Sequence, residues 1–184
     1  MSEVNTVVIV SAVRTAIGGF GGSLKSFTPA QLGTICAKEA LKRAKVSAES
    51  VESCVVGKVI HNGPKDAYLA RVIALDSGLS DTSHAVTLNR LCGSGLEAII
   101  QAAQQIQLGE VEVALAGGAE SMSSSAYTLE SNRWGQKMGN SVVVDELTTT
   151  LQDPWNNFHM GITAENVADK YNISRKVQDE YAAK

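Results

Sequence analysis

The sequence predicts a layered α/β domain built on a largely parallel sheet. Short apolar runs alternate with amphipathic helical segments, glycine-rich turns separate them, and 44% of the 184 residues are hydrophobic while 19% are charged. A chain of this length and composition can bury a substantial core. Strands that alternate with helices form βαβ units, so we expect parallel strands with helices packed on them.

The first predicted strand is the continuously apolar, β-branched run at residues 6–13, which is typical of a strand covered on both faces. A glycine-rich loop follows it. Thr28, Pro29 and Gln31 then form the pattern of a capping box with proline at the first helical position. Apolar residues recur at helical spacing after this box, so it predicts the start of the first helix.

Three more strands are predicted, at residues 54–60, 85–91 and 111–115. Helical patterns lie between them, one at about residues 67–77 and one after Gly95. With the first strand and helix, these segments give a βαβαβαβ order.

The pattern changes near residue 122, so we predict an α/β half over residues 1–121 and the beginning of a loop domain over 122–184. Serine, asparagine and glycine interrupt any long period in the second region. A short helix is predicted from near Gly161, and Ser174 is placed to cap another. That last helical pattern still runs at Lys184 without a glycine cap, so the chain end has the pattern of a truncation point.

Charge and cysteine content exclude several classes of protein. A net charge of -3 argues against a general nucleic-acid binder, and the apolar run at residues 7–10 is too short for a signal peptide core or a membrane span. We therefore expect a cytoplasmic protein that binds neither nucleic acid nor membrane. Three cysteines without CxxC spacing fit neither a disulfide framework nor a zinc site, and no metal site is predicted.

Cys92 is the candidate nucleophile, because it lies where a predicted strand turns into a helix. The positive end of that helix favours an anion such as a thiolate, and Gly93 and Gly95 allow close approach of a substrate. Two alternatives remain at this point: Cys92 is a small buried apolar residue, or the glycine-rich turn binds a phosphate by itself. Cys36, on a helix stripe, and Cys54, inside a strand, are predicted to be structural.

Four ordered blocks carry a resemblance that covers nearly the whole chain. They are VSAVRTAIG at 10–18, NRLCGSGL at 89–96, GGAESMS at 117–123 and FHMGITAENVA at 158–168. Together the blocks resemble the amino-terminal part of the thiolase family. The resemblance implies a thiolase-like fold with a central mixed sheet.

The resemblance also implies a reaction. In a reversible Claisen condensation, Cys92 accepts an acyl group from acyl-CoA and acetyl-CoA then attacks the acyl-cysteine thioester; thiolysis of a 3-ketoacyl-CoA is the reverse. The backbone N–H of Cys92 would contribute to an oxyanion hole. Coenzyme A is then a co-substrate, and no tightly bound cofactor is expected.

Three further positions match residues that contact coenzyme A in the family: Leu151, His159 and Met160. Without the resemblance, His159 is more simply interpreted as a capped loop histidine. His61 and His84 match no motif and are predicted to be structural.

The chain departs from the commonest family pattern after Gly63. Many thiolases carry a Gly-Gln-Asn-Pro-Ala-Arg string there, whereas this chain has PKDAYLAR at 64–71. This variant resembles a β-ketothiolase branch that accepts acyl chains other than acetyl. Strict acetoacetyl-CoA specificity is therefore not expected.

Two motifs that supply the rest of the family's site, a Gly-His-Pro histidine and a cysteine in Cys-x-Gly-Gly-Gly, do not occur in this chain. The resemblance places them in a carboxy-terminal half and implies a homodimer or a tetramer of dimers. We therefore predict that residues 1–184 alone are inactive. Two rival hypotheses stay open: a non-catalytic CoA-binding or assembly fragment, and another thiolase-like enzyme such as a ketoacyl synthase or a hydroxymethylglutaryl-CoA synthase.

Overall fold

The computed structural model describes residues 6–184, and the chain divides into two compact units, Met1–Ala126 and Tyr127–Lys184. The helices and strands of the first unit are α1 (Pro29–Ala44), β1 (Ser53–Gly57), α2 (Leu69–Asp76), β2 (His84–Leu88), α3 (Ser94–Gln107) and β3 (Ala114–Gly118). Those of the second unit are β4 (Tyr127–Thr128), β5 (Val144–Asp145), α4 (Glu146–Thr150), α5 (Met160–Tyr171) and α6 (Arg175–Ala182). Short 3₁₀ turns lie between several of them.

The first unit is built around a parallel sheet in the order β2-β1-β3. Val55 in the central strand is opposite Val86 in β2 and Ala116 in β3. All five residues of β1 are buried, as expected for a strand with neighbours on both sides and helices on both faces. The second, third and fourth strands that the sequence predicts are thus present, and the α/β class is confirmed.

The predicted first strand is wrong. Residues 6–13 adopt no strand conformation, and Val8, Ile9 and Val10 are 66–75% exposed. Strand propensity alone does not form a strand, because the backbone groups need a neighbouring chain to bond to, and no segment within residues 6–184 pairs with this run. The three paired strands are all parallel, so the mixed sheet implied by the resemblance is not seen in the described residues.

Helices cover the two faces of the sheet. On one face α1 and α2 pack over Cys54 and Val56, and Ile73 of α2 is 2% exposed. On the other face α3 packs over Val55 through Ala98 and Ala102, whose small side chains let the helix approach the sheet closely. Complete burial of a valine such as Val55 stabilises the fold by about 1.5–3 kcal/mol.

The capping box predicted for α1 is confirmed. The Thr28 hydroxyl accepts from the Gln31 N–H at 3.2 Å, and the Gln31 side-chain oxygen accepts from the Thr28 N–H at 2.9 Å. Lys45 closes the helix in a left-handed conformation. The start of the helix therefore follows from side-chain capping, and its end follows from a left-handed backbone cap.

The second unit contains a short antiparallel pair, β4 and β5, followed by three helices. The short helix predicted near Gly161 is α5, and Ser174 caps α6 by accepting from the Val177 N–H at 3.4 Å. Every residue of this unit is partly or fully exposed. Over residues 6–184, no helix combines the length and apolarity needed to cross a membrane.

Candidate active site

Cys92 lies in the turn that joins β2 to α3, at the sheet edge where the parallel strands end. It is exposed, whereas Cys36 is half-buried in α1 and Cys54 is fully buried in β1. Burial raises the pKa of the Cys54 thiol to about 12, so Cys54 remains a thiol at neutral pH. The alternative in which Cys92 is a buried apolar residue is therefore wrong, and Cys92 is the accessible thiol of the three.

The turn around Cys92 is tight and uses most of its own backbone donors. The Gly93 N–H donates to the Arg90 carbonyl at 3.1 Å, and the Ser94 N–H donates to the Leu91 carbonyl at 3.0 Å. In the described part of the chain, the hydrogen bonds of this turn do not include the Cys92 N–H. A donor next to the thiol is thus available to a bound carbonyl oxygen.

Two glycines at strand ends set how closely α3 approaches the sheet. Gly57 ends β1 beneath the backbone of Ser94 and Gly95, and Gly118 ends β3 beside Gly95. Any side chain at Gly57 would push the start of α3 away from the sheet. The position of Cys92, two residues before α3, is therefore set by backbone packing as well as by the turn.

The predicted coenzyme A contacts Leu151, His159 and Met160 lie together in the second unit. The Met160 N–H donates to the Leu151 carbonyl at 2.9 Å, and His159 forms an antiparallel bridge with Gln152. The His159 Nδ1 accepts from the Gly161 N–H at 2.9 Å and so caps α5. An accepting nitrogen carries no proton, so the neutral ring has its N–H at Nε2, where it can donate to a ligand.

The other two histidines differ in their distance from the edge that carries Cys92. His84 begins β2, four strand steps of about 3.3 Å from Leu88 at the strand's far end. His61 lies after the end of β1, with a 74% exposed side chain whose Nδ1 is 4.0 Å from Asp66. Neither histidine makes a hydrogen bond to Cys92 in the structure.

Lys58, for which the sequence predicted no role, is buried with its charge paired. Its Nζ is 2.6 Å from the Asn62 side-chain oxygen and 3.2 Å from an Asp66 carboxylate oxygen. Asp66 also accepts from the N–H groups of Asn62 and Gly63. Asp66 belongs to the segment that departs from the common family pattern, so this departure supplies the partner of a buried cation. The sequence signal for this pair was a lysine directly after a buried strand and an aspartate eight residues later.

Glu120 belongs to the GGAESMS block at 117–123, and the sequence predicted no function for it. Its carboxylate accepts from the N–H groups of Val59 at 2.9 Å and Ile60 at 3.3 Å, which fixes the chain after β1 to the chain after β3. Burial raises the pKa of Glu120 above its ordinary value, although these hydrogen bonds and the charge of Lys58 act in the opposite direction. Glu120 therefore links the two loops beside the turn.

A cavity of about 300 Å³ lies among these loops. Lys58, Asp66 and Asn89 contribute polar groups to it, and Cys92 does not line it. Its remaining lining residues are Val59, Ile60, His61, Ala67, Thr87 and Leu88. Within the described residues, no three His, Cys, Asp or Glu side chains are grouped so as to bind a metal ion.

Fold and site together define a class: a parallel α/β unit that presents an exposed cysteine at a strand-to-helix turn. Residues 7–184 match the family model described as thiolase, N-terminal domain. The chain therefore belongs to the thiolase family, as its four sequence blocks predicted.

Relatives and solved structures agree with this assignment. The chain is 54% identical to a β-ketothiolase of Cupriavidus necator over 176 residues, which are 96% of this chain and 45% of that protein. It superposes on the crystal structure of Bacillus anthracis acetyl-CoA acetyltransferase with a TM-score of 0.91 at 44% identity, covering 96% of this chain and 45% of that one. For human mitochondrial 3-ketoacyl-CoA thiolase in complex with CoA, the TM-score is 0.90 at 42% identity, covering 94% and 44%. The chain thus spans about half the length of the curated relatives that it matches.

Proposed function

We propose that the full-length protein is an acyl-CoA C-acyltransferase, a β-ketothiolase or acetyl-CoA acetyltransferase, in which Cys92 carries the acyl group. The observation that carries this proposal is the exposed Cys92 thiol in a tight turn before α3, within a chain that belongs to the thiolase family. The family assignment favours this activity over ketoacyl synthase or hydroxymethylglutaryl-CoA synthase activity. The sequence of the chain itself disfavours a purely non-catalytic fragment, because it retains the nucleophile block.

The first half-reaction needs a thiolate and a donor for the developing oxyanion. The Cys92 sulfur attacks the thioester carbonyl of an acyl-CoA, the carbonyl oxygen becomes an oxyanion, and the carbon–sulfur bond to coenzyme A then breaks. The electron pair leaves with the CoA thiolate, which takes up a proton. The Cys92 N–H supports this step because the turn does not use it.

In the second half-reaction, the α-carbon of acetyl-CoA loses a proton and attacks the acyl-cysteine carbonyl. The new carbon–carbon bond forms as the bond to the Cys92 sulfur breaks, which returns the thiolate. Thiolysis of a 3-ketoacyl-CoA follows the same steps in reverse. The base for the α-proton is proposed to come from a carboxy-terminal half, because the Gly-His-Pro and Cys-x-Gly-Gly-Gly motifs do not occur in residues 1–184.

For the second unit, we assign binding of the pantetheine arm and acyl end of coenzyme A to Leu151, His159 and Met160. The Nε2–H of His159 is an available donor because Nδ1 is occupied by the cap of α5. Met160 is 38% exposed, and its side chain offers an apolar, polarizable surface to an acyl chain. Coenzyme A is proposed as a co-substrate without a tightly bound cofactor.

The full-length protein is further proposed to be a homodimer or a homotetramer that acts in fatty acid metabolism in the cytoplasm. Exposed apolar side chains support assembly: Trp134 and Met138 are 88% and 90% exposed, and Leu96 on α3 is 64% exposed. A carboxy-terminal half is proposed to cover part of this surface. Light scattering that finds only a monomer at micromolar concentration would contradict the assembly.

Consumption of acetoacetyl-CoA in the presence of coenzyme A tests the proposed activity. Cys92→Ser in the full-length protein is expected to lower kcat by more than about a thousandfold, because the covalent intermediate is lost. Cys36→Ser is the matched control and is expected to retain activity, since Cys36 lies half-buried in α1. Unchanged turnover in Cys92→Ser would exclude the mechanism.

A further inference from the structure

Leu91, the residue before Cys92, has a left-handed backbone conformation with φ of 49°. Residues with a Cβ other than asparagine and aspartate rarely adopt this conformation, because the Cβ approaches the carbonyl oxygen too closely. Leu91 is 53% exposed, so core packing does not supply the restraint. Contacts outside the apolar core must therefore hold Leu91 in this conformation.

Two side chains hold the peptide groups on either side of Leu91. On one side, the Asn89 side-chain oxygen accepts from the Leu91 N–H at 2.8 Å. On the other side, the Ser94 hydroxyl donates to the Leu91 carbonyl at 2.6 Å and accepts from the Arg90 N–H at 2.8 Å. Both backbone polar groups of the strained residue are therefore bound by neighbouring side chains.

Burial of Ser94 strengthens the hydrogen bonds of its hydroxyl group. Ser94 is 3% exposed, so water does not compete for its hydroxyl, and hydrogen bonds are stronger in such surroundings. Ser94 is also the first residue of α3, and its backbone rests on Gly57 of β1. The turn is thereby bound to an element whose position the sheet fixes.

We propose that Asn89 and Ser94 are positioning residues for acyl transfer. They hold Leu91 in its left-handed conformation, and this conformation directs the Cys92 thiol outwards while leaving the Cys92 N–H outside the hydrogen bonds of the turn. This inference rests on the proposed function, since it assumes that Cys92 is the acyl acceptor. Nucleophile and oxyanion donor must be aligned closely for a fast reaction, and small displacements are costly.

The test compares four variants of the full-length protein with one control variant. Asn89→Ala removes the acceptor for the Leu91 N–H, and Ser94→Ala removes both hydroxyl contacts. Leu91→Gly relieves the steric cost of the left-handed conformation, both alone and combined with Asn89→Ala. Ser50→Ala is the matched control, because the Ser50 hydroxyl donates to the Ser47 carbonyl at 2.7 Å in a turn before β1.

Two rates are measured by quenched mass spectrometry: acetylation of Cys92 by acetyl-CoA, and its alkylation by iodoacetamide. We expect Asn89→Ala and Ser94→Ala to slow acetylation by about tenfold or more, because the thiol and the oxyanion donor lose their alignment. Alkylation needs an exposed thiol but no aligned carbonyl, so it is expected to change much less. Ser50→Ala is expected to retain both rates.

The combined variant distinguishes positioning from a general loss of structure. In the Leu91→Gly background, the effect of Asn89→Ala on acetylation is expected to shrink to less than about threefold, because the two residues act on one conformation. An Asn89→Ala variant that acetylates at the wild-type rate, or that loses the same factor in both backgrounds, would overturn the proposal. If Ser94→Ala does not fold, the Asn89 and Leu91 variants decide the question by themselves. A wild-type protein that is not acetylated on Cys92 contradicts the proposed function instead.

Discussion

Gly57 lies so close beneath Ser94 that a side chain at position 57 has no room. A Cβ added to Gly57 would stand 2.5 Å from the carbonyl carbon of Ser94 and 2.8 Å from the Gly95 nitrogen. Both neighbours are backbone atoms at the start of α3, which cannot rotate away as a side chain does. The end of the central strand thus fixes the start of the helix that follows the Cys92 turn.

Gly57→Ala is therefore expected to lower the free energy of unfolding by about 1–3 kcal/mol, as in other overpacked cores. It is also expected to slow acetylation of Cys92, since the start of α3 must move. Gly117→Ala is the matched control: a Cβ there meets no atom within 4 Å, so its stability is expected to be unchanged or higher by up to about 1 kcal/mol. Urea unfolding of both full-length variants checks this, and equal stabilities would contradict the packing argument.

The buried ion pair of Lys58 and Asp66 gives a second prediction. Their side chains are 5% and 15% exposed, so Asp66→Asn leaves a buried cation without its counter-charge. We expect a loss of about 3 kcal/mol in the free energy of unfolding. Asp179→Asn breaks a surface pair with Arg175, whose side chains are 61% and 85% exposed, and is expected to cost less than about 0.5 kcal/mol. Similar losses in both variants would contradict the expectation that burial of the Lys58–Asp66 pair makes its disruption more costly.

The raised pKa of Glu120 predicts that the free energy of unfolding depends on pH. Because burial raises its pKa in the folded state, the folded protein binds this proton more tightly than the unfolded chain does. The resulting stabilisation is fully present below the unfolded pKa and is lost as the pH rises through the folded pKa. Glu120→Gln lacks this contribution. Relative to Glu120→Gln, the wild-type protein is expected to be most stable near pH 4 and to lose that difference as the pH increases.

Urea unfolding at several pH values between 4 and 7 measures this difference. An advantage of the wild-type protein that grows with pH would mean that the hydrogen bonds from Val59 and Ile60 outweigh the burial of the carboxylate.

Local signals in the sequence predicted much of this structure. The caps at Thr28 and Ser174 depend on residues three positions apart, and both are present. The Cys92 turn was predicted from Gly93, Gly95 and the helical pattern that follows them. The strands predicted at residues 54–60, 85–91 and 111–115 each overlap a strand of the parallel sheet.

Features that depend on distant partners were not predictable from such signals. Residues 6–13 have the composition of a strand but no pairing partner among the described residues, and composition does not reveal that. Glu120 accepts from N–H groups that lie about 60 positions earlier in the chain. The hydrogen bonds of Asn89 and Ser94 to Leu91 are local, but their importance shows only in the φ value of Leu91, which sequence periodicity does not supply.

A polypeptide of residues 1–184 alone is expected to show no thiolysis or condensation. The proposed nucleophile is present, but we propose that the base for the proton at the acetyl α-carbon lies in a carboxy-terminal half, and such a base contributes about 10²–10⁴ to a rate. Parallel assays of this polypeptide and the full-length protein, with acetoacetyl-CoA and coenzyme A, measure the difference. Comparable turnover per Cys92 would contradict the expectation and would locate the base among His61, His84 and His159.

Mass spectrometry of the full-length protein after incubation with acetyl-CoA shows directly whether Cys92 is the acyl acceptor. We expect an acetyl group on the peptide that contains Cys92, and its removal by added coenzyme A. The peptides of Cys36 and Cys54 serve as internal controls, because Cys54 is buried with a pKa of about 12 and Cys36 lies half-buried in a helix. Acetylation of Cys36 or Cys54 with Cys92 unmodified would contradict the assignment of Cys92 as the acyl acceptor.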